Sequence, residues 1–322
     1  MNVRQDESAR EFESHRGRLF ALAYRMLGSA AEAEDTVQDA YLRWHGTEPG
    51  QVAAPGPWLN KVVANLCLNR LTSARARREE YPGTWLPEPV ASGALGPMER
   101  AEQREMVSFA VLTMMERLSP PERAAVVLRD AFTYSHREIA GVLDCTEAAA
   151  RQLYHRGRKH LAAETQPRAA EAPHPGSTAS HPGSVDAEQN AALLGRFLRA
   201  ASEGALDQLE QLLAEQVVVW SDGGGKVRAA LRPVHGRDNA ARFLAGLFER
   251  FTAGVRFELA EANGTTVLLC WEGDALTSVG AVDGGPDGVT DIRILRNPDK
   301  LTHYAQRHRA LSQNGRPPGS SW

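Results

Sequence analysis

Residues 135–161, SHREIAGVLDCTEAAARQLYHRGRKHL, decide how the rest of the chain is read. Ser135 followed by Glu138 is a capping box that opens a helix, and Ile139, Ala140 and Leu143 give that helix one apolar face. The Asp144-Cys145 turn stops it. Thr146 caps a second helix in which Ala149 and Leu153 point inward, with the small Ala140 and Ala149 near the helix crossing. Its outward positions carry Arg151, Gln152, His155, Arg156, Arg158 and Lys159, and Glu147 is the acid among them. This pattern predicts a helix-turn-helix whose second helix enters a major groove, leaving cations for phosphates. A solvated helical hairpin is the plainer alternative.

The chain has 322 residues, enough for two or three domains. Its formal net charge of −3 is unexpected for a DNA reader. Basic surface must therefore be local, and acidic surface must serve another partner. Cys67, Cys145 and Cys270 are isolated and show no CxxC or Cys/His spacing, which argues against a disulfide framework and against a zinc site. No cofactor is expected. No apolar run approaches the ~20 residues of a membrane span, and the charged N-terminal stretch is unlike a signal peptide. A reducing cytoplasm is the expected compartment.

Residues 8–45 read as two helices around a break at Gly28-Ser29. Phe12, Leu19, Leu22, Ala23 and Met26 line the first; Ala33, Val37, Ala40, Tyr41 and Trp44 line the second. The other face of the second helix holds Glu34, Asp35, Gln38 and Asp39, an acidic ridge suited to a basic protein surface and unsuited to DNA. After a Pro/Gly break, PWLNKVVANLCLNRLTSARARREE begins a helix at Pro57. Lys61, Asn65 and Asn69 share one of its faces, Arg70 follows, and Trp58 lies nearby. Amides and cations beside an aromatic ring suit nucleic-acid backbone and unstacked bases. A plain amphipathic helix with a basic last turn fits equally well.

The order of FESHRGRLFALAYRMLGSAAEAEDTVQDAYLRW, PWLNKVVANLCLNRL and LSPPERAAVVLRDAFTYSHREIAGVLDCTEAAARQLYHRGRKHL resembles the bacterial sigma-70 family. Specifically, it is similar to the compact extracytoplasmic-function branch, which keeps the promoter-melting domain (region 2) and the −35-reading domain (region 4). The resemblance covers residues ~8–163, about half the chain. It implies that the Glu34–Asp39 ridge grips the β′ clamp of core RNA polymerase, with the β flap as a further contact of the family. It also implies that Trp58, Lys61, Asn65, Asn69 and Arg70 lie where the −10 element is opened and a base captured, and that residues 146–159 read the −35 element. Many members have an acid near position 69, where this chain has Asn69, which leaves the −10 preference open.

Between the two helical domains, expected at 8–80 and 97–163, residues 81–96 read as an extended connector. Pro82, Pro87 and Pro89 exclude a helix there, while Trp85 and Leu86 are apolar enough to seek a groove. A helix is expected from near Pro97. Residues 164–185, rich in Pro, Ala, Gly and Ser, read as a flexible tether. From 186 to 303 the pattern changes to α+β. Helices come first, then a strand, a glycine-rich turn and a second strand across 217–236, another helix, and alternating strands with a hairpin at Asn263-Gly264. A curled antiparallel sheet of this kind resembles the SnoaL-like branch of the nuclear-transport-factor-2-like superfamily. The fold class expected for the whole chain is thus multidomain: two all-α domains followed by an α+β cone. Residues 304–322 read as a disordered tail.

The combination of Trp85-Leu86-Pro87-Glu88-Pro89, Asp222-Gly223-Gly224-Gly225-Lys226 and Asn297-Pro298-Asp299-Lys300-Leu301 with such an extension is similar to one extracytoplasmic-function subgroup. There the appended domain is thought to regulate the sigma factor in cis, so the resemblance implies no dedicated anti-sigma factor, with room for a small ligand in the cone. A catalytic cone would need an acid/base pair in an apolar pocket; Asp222, His235 and Glu272 are candidates, with Trp220 or Trp271 as walls. Nothing in the sequence aims them at a pocket, so no enzyme is expected. A Walker-type phosphate loop is unsupported, because the Gly223–Lys226 run lacks the first glycine and precedes a strand. The alternative function is a stand-alone helix-turn-helix regulator with a ligand-sensing cone.

Overall fold

The structure, a computed structural model, describes residues 3–48, 51–95, 106–165, 187–203, 205–251, 254–285 and 288–313. The chain divides into two compact units. The first holds Met1–Glu79, Ser92–Val107 and Val111–Ala169; the second holds Glu80–Ala91, Ser108–Ala110 and Ala170–Trp322. Of the extended connector expected at 81–96, residues 81–91 therefore belong to the C-terminal unit. The onset of the helix expected near Pro97, nearly all of the tether at 164–185, and residues 314–322 of the expected tail lie outside the described residues.

In the first unit, α1 (Val3–Leu27) and α2 (Ala30–His45) meet at Gly28, whose φ of +69° is a left-handed conformation. Ser29 caps α2 by accepting the Glu32 N–H at 3.1 Å. α3 (Pro55–Glu79) completes the first bundle around Phe12, Leu19, Leu22, Met26, Val37, Leu59 and Val63. Tyr41 and Trp44 are only half-buried.

α4 (Phe109–Met115) and α5 (Pro120–Val126) follow, and α5 runs on as a π turn over Val127–Ala131. α6 (His136–Leu143) opens on the expected capping box: the Ser135 N–H donates to the Glu138 carboxylate at 2.7 Å, and the Glu138 N–H donates to Ser135 Oγ at 3.2 Å. Asp144, at φ +49°, ends it, and α7 (Glu147–Thr165) begins. The buried stripe of α7 is Ala150, Gly157 and Leu161, whereas Ala149 is half-buried, one position out of phase with the expectation. A Cβ on Gly157 would lie 2.7 Å from Val126 Cγ2, so close approach of α5 requires glycine there.

In the second unit, α8 (Ala187–Ser202) and α9 (Leu206–Leu212) lead into β1 (Leu213–Asp222), β2 (Val234–His235) and α10 (Arg237–Phe251). The strands β3 (Val255–Ala262), β4 (Thr265–Glu272), β5 (Ala275–Gly285) and β6 (Gly288–Leu295) form a meander, and α11 (Pro298–Gln313) ends the described chain. The sheet order is β2-β1-β6-β5-β4-β3. It is mixed rather than antiparallel throughout, because the meander returns β6 alongside β1 in the same direction. Residues 224–233, expected to hold a glycine turn and most of a second strand, are a loop, and only Val234–His235 pair with β1.

Alternation along the strands gives the sheet two apolar faces. Leu268, Val282, Ile292 and Ile294 meet α8, α9 and α10 on one face. On the other, Leu269, Val279, Ala281 and Leu295 meet Leu86 of the connector and Leu301 and Tyr304 of α11. Residues 304–313 are thus helix and not tail. Tyr304 is fully buried, its hydroxyl donates to the Glu261 carbonyl at 3.0 Å, and His308 lies 2.8 Å from the Glu258 carboxylate.

Candidate functional site

The positions expected to read DNA from α7 are all exposed: Thr146, Glu147, Arg151, Gln152, His155, Arg156, Arg158 and Lys159. Several of their charges have local partners. Arg151 pairs with Glu147 at 3.3 Å, Arg156 with Glu122 at 3.2 Å and Arg158 with Asp130 at 3.3 Å. The last two pin the C-terminal half of α7 to α5 and to the π turn that follows it. His136, at the start of α6, stacks near Tyr154 and His155. Loss of solvation and the neighbouring Arg129 and Arg151 lower its pKa, which favours the neutral ring beside the exposed face of α7.

On α3, Asn69 is exposed, while Trp58, Lys61, Asn65 and Arg70 are half-buried. Trp58 packs against Trp44, ring centroids 5.8 Å apart. Lys61 Nζ lies 2.7 Å from Asp144 Oδ1, in the turn of the helix-turn-helix, and the neighbouring Asn60 Nδ2 donates to the Tyr134 hydroxyl at 2.7 Å. Arg70 pairs with Asp39 at 2.7 Å. Two of the expected −10 cations are therefore engaged by acids of this same unit.

Of the acidic ridge, Glu34 is held by Arg16 at 2.7 Å and Asp39 by Arg70, leaving Asp35 and Gln38 exposed. Leu42 is 61% exposed and follows Gln38 by four residues and Asp35 by seven. The ridge is thus amphipathic, and a seven-residue count from Asp35 would have found the missed Leu42.

The third site joins the three motifs that the sequence singled out: the connector, Asp222–Lys226 and Asn297–Leu301. Leu86, Pro87, Glu88, Pro89 and Val90 are all buried in the second unit, with Trp85 half-buried. Their anchor is Asp222, at the end of β1, whose side chain is fully buried. Asp222 Oδ1 accepts the Tyr81 hydroxyl at 2.6 Å and the Gly224 N–H at 3.0 Å; Oδ2 accepts the Leu86 N–H at 2.8 Å and Lys300 Nζ at 2.7 Å. Both carboxylate oxygens are thereby doubly bonded, which offsets the cost of burying the charge. Lys300 also donates to the Leu86 carbonyl at 2.6 Å and lies 4.1 Å from the Trp85 ring centroid and 4.9 Å from that of Tyr81. Burial and the Asp222 carboxylate raise the Tyr81 pKa, so its hydroxyl remains a donor.

The other motif residues build the cradle. Asn297 begins α11: its Oδ1 accepts the Asp299 N–H at 3.1 Å, and its Nδ2 donates to the Tyr81 hydroxyl at 2.8 Å. Pro298 opens the helix, Leu301 enters the core and Asp299 pairs with Lys226. The three glycines permit the approach of neighbouring atoms. A Cβ on Gly223 would lie 2.4 Å from the Val227 carbonyl oxygen, one on Gly224 2.3 Å from Asn297 Nδ2, and one on Gly225 3.0 Å from Pro82. Gly224 and Gly225 also have φ of +60° and +71°.

The catalytic candidates do not converge. Asp222 is saturated by Tyr81, Leu86, Gly224 and Lys300, His235 is exposed, and Trp220 and Trp271 pack on the sheet face that meets Leu86 and Tyr304. Glu272 instead lines a cavity with Leu194, Phe197 and Leu268. Among the described residues no cluster of His, Cys, Asp and Glu could hold a metal, and no helix is long and apolar enough to cross a membrane.

Residues 12–77 match the sigma-70 region 2 family, residues 108–161 sigma-70 region 4, and residues 194–297 the SnoaL-like domain. The chain is 37% identical over 320 residues to the ECF RNA polymerase sigma factor SigJ of Mycobacterium tuberculosis, covering 95% of this chain and 97% of that one. The probable ECF RNA polymerase sigma factor SigI of the same species is 31% identical over 210 residues, 65% of this chain and 67% of its own. The crystal structure of Mycobacterium tuberculosis SigJ is similar at a TM-score of 0.69 and 32% identity, covering 91% of this chain and 98% of that one. With two helical sigma regions in order and a relative matched over nearly its full length, the chain belongs to the extracytoplasmic-function branch of the sigma-70 family of transcription initiation factors.

Proposed function

We propose that this sigma factor is restrained in cis, its connector held by its own SnoaL-like domain until a signal releases it. The observation that carries the reading is the saturated carboxylate of Asp222, which grips Tyr81 and Leu86 of the connector together with Lys300 of α11. An inhibitor built into the chain removes the need for a dedicated anti-sigma factor. The pairing of Lys61 with Asp144 and of Arg70 with Asp39 supports a resting state in which −10 cations are engaged internally.

In the working state the protein acts in the cytoplasm with core RNA polymerase. Asp35, Gln38 and Leu42 meet the clamp, and α3 receives the opened −10 element. The outer face of α7 reads −35, and phosphate contacts set the register. Opening DNA means unstacking bases, at roughly a few kcal/mol each, offset by capture in protein pockets. The cone does no chemistry.

Transcription from a cognate promoter with core polymerase tests this. Asp222→Asn should raise transcript yield over the intact chain, and chains ending before Asn297 and before Asp186 should differ from it and from each other. Equal output from all four would defeat the reading.

A further inference from the structure

Among the described residues the two most exposed large apolar side chains are Leu231, 69% exposed, and Leu42, 61% exposed. Leu231 lies in the loop between β1 and β2, with Arg228 three residues before it and Arg232 directly after. Both arginines are exposed, and among the described residues no carboxylate pairs with either. The loop is held in shape. The Arg296 guanidinium donates to the Arg228 carbonyl at 2.8 Å, and the Lys226 N–H donates to the Gly223 carbonyl at 3.0 Å. Behind Leu231 sits Gly83, where a Cβ would lie 3.4 Å from the Leu231 Cα.

Leu42 ends the ridge of α2. Asp35, seven residues before it, is exposed, and among the described residues no cation pairs with it. The partly exposed carboxylates of Glu34 and Asp39 flank it, each sharing its charge with an arginine. Arg43, the cation next to Leu42, stands on the Asp39 side of the helix, one turn on from that acid. The loop and the ridge are opposite in charge and alike in build, an apolar centre within a polar rim, which is the anatomy of a protein contact. Duplex DNA is another anion that suits Arg228 and Arg232, but a leucine between them finds nothing apolar on a phosphate backbone.

We propose that α2 of one copy of this chain docks on the β1–β2 loop of a second copy, Leu42 against Leu231 and Asp35 against Arg228 and Arg232. The two surfaces differ, so the contact is heterologous. Two copies close it when each lends its ridge to the other; otherwise it runs on from copy to copy. Either way it covers Asp35, Gln38 and Leu42, the surface proposed above to meet the polymerase clamp. Free sigma factor is then a self-associated reserve from which core polymerase draws single copies. The contact stands on the two patches alone; the masking rests on that reading of the ridge.

Sedimentation velocity on the full-length protein, at about 0.05 M and about 0.5 M salt, tests the contact. At low salt the average mass should rise with protein concentration across the micromolar range, and high salt should weaken the association severalfold. Leu42→Asp and Leu231→Asp should each stay monomeric alone. Mixed, they should form a one-to-one dimer and nothing larger, because the first keeps an intact loop and the second an intact ridge. Should either misfold by circular dichroism, Asp35→Lys and Arg232→Glu replace them in the same scheme. Full-length protein that stays monomeric, a mixture that does, or association that survives both substitutions overturns the contact. So does a Leu231→Asp or Arg232→Glu chain that binds an unrelated DNA duplex more weakly while self-associating normally, which would give the loop to nucleic acid. Excess core polymerase should dissolve the assemblies; their persistence overturns the masking. If Leu42→Asp binds core as tightly as the unaltered chain, the reading of the ridge has failed while the contact stands, which separates the two.

Discussion

Val90 and Asn263 exchange two hydrogen bonds: the Val90 N–H donates to the Asn263 side-chain oxygen at 2.9 Å, and the Asn263 N–H donates to the Val90 carbonyl at 2.9 Å. Asn263 is also a left-handed turn residue of the β3–β4 hairpin, at φ +54°. One residue thus closes a hairpin and catches the connector. Asn263→Gly should keep the hairpin, leave the buried Val90 N–H unsatisfied and cost about 1–3 kcal/mol; Asn263→Asp, which retains an acceptor and tolerates the turn, should cost less. Denaturant melts together with amide exchange at Val90 separate these outcomes.

The Asp222–Lys300 pair allows a stricter test. Removing one partner leaves the other charged and buried, so Asp222→Asn or Lys300→Met alone should each cost about 3–5 kcal/mol of docking stability. The double variant should recover a substantial part of that loss, which a double-mutant cycle reads. Strict additivity would mean that the two side chains do not depend on each other.

Gly224 and Gly236 both have positive φ, but of the two only Gly224 is crowded, with Asn297 and Tyr81 where a Cβ would lie. Gly236→Ala should cost about 1 kcal/mol, from backbone strain alone. Gly224→Ala adds a clash and should raise exchange at the Leu86 amide, whereas Gly236→Ala should leave that amide unchanged.

These contacts mark the boundary of what the sequence reveals. The helix-turn-helix is legible because its determinants are local: Ser135 and Glu138 cap one helix and Asp144 ends it. The apolar Trp85 and Leu86 on a proline-rich segment announce that the connector needs a groove. Asp222 was readable as a turn former, an acid/base candidate and a motif residue but not as an anchor, since three groups from two distant segments, Tyr81 and Leu86 of the connector and Lys300 of α11, converge on it. The parallel pairing of β1 with β6 is equally non-local. α11 escaped notice because its inward face is Lys300, Leu301, Tyr304 and His308, held partly by hydrogen bonds and ring contacts rather than by an aliphatic stripe.

If α7 reads the −35 element as proposed, Arg151→Ala and Gln152→Ala should relax −35 preference, by about 1–3 kcal/mol wherever a bidentate base contact is lost. Arg158→Ala also breaks the contact with Asp130, and Arg156→Ala that with Glu122. Both should lower affinity similarly for all sequences, with a small loss of stability, of order 1 kcal/mol, because the arginine of each pair is exposed although its acid is largely buried. Holoenzyme binding to −35 variants, compared at fixed salt, distinguishes the two classes.

Acid should loosen α11. Burial works against the Glu258 carboxylate, but hydrogen bonds from Arg256 and His308 prevail and hold its pKa below the ordinary range. A carboxylate depressed in the folded state stabilises above its unfolded value of about 4.3, and that contribution is lost as pH falls through the folded value. His308→Ala should therefore move acid unfolding to higher pH, and Glu258→Gln should flatten the acid limb of the stability curve. Circular dichroism from pH 7 to pH 2 follows both.

The burial of Leu86 through Val90 against the chain's own sheet has a consequence for dosage. A separate inhibitor must be synthesised in proportion to its target, and dilution frees the target from it. A dock carried on the same polypeptide sees its ligand at a fixed effective molarity. Under the cis restraint proposed above, expression noise and cell growth would leave the restrained fraction unchanged, and only a change in the internal equilibrium would alter it.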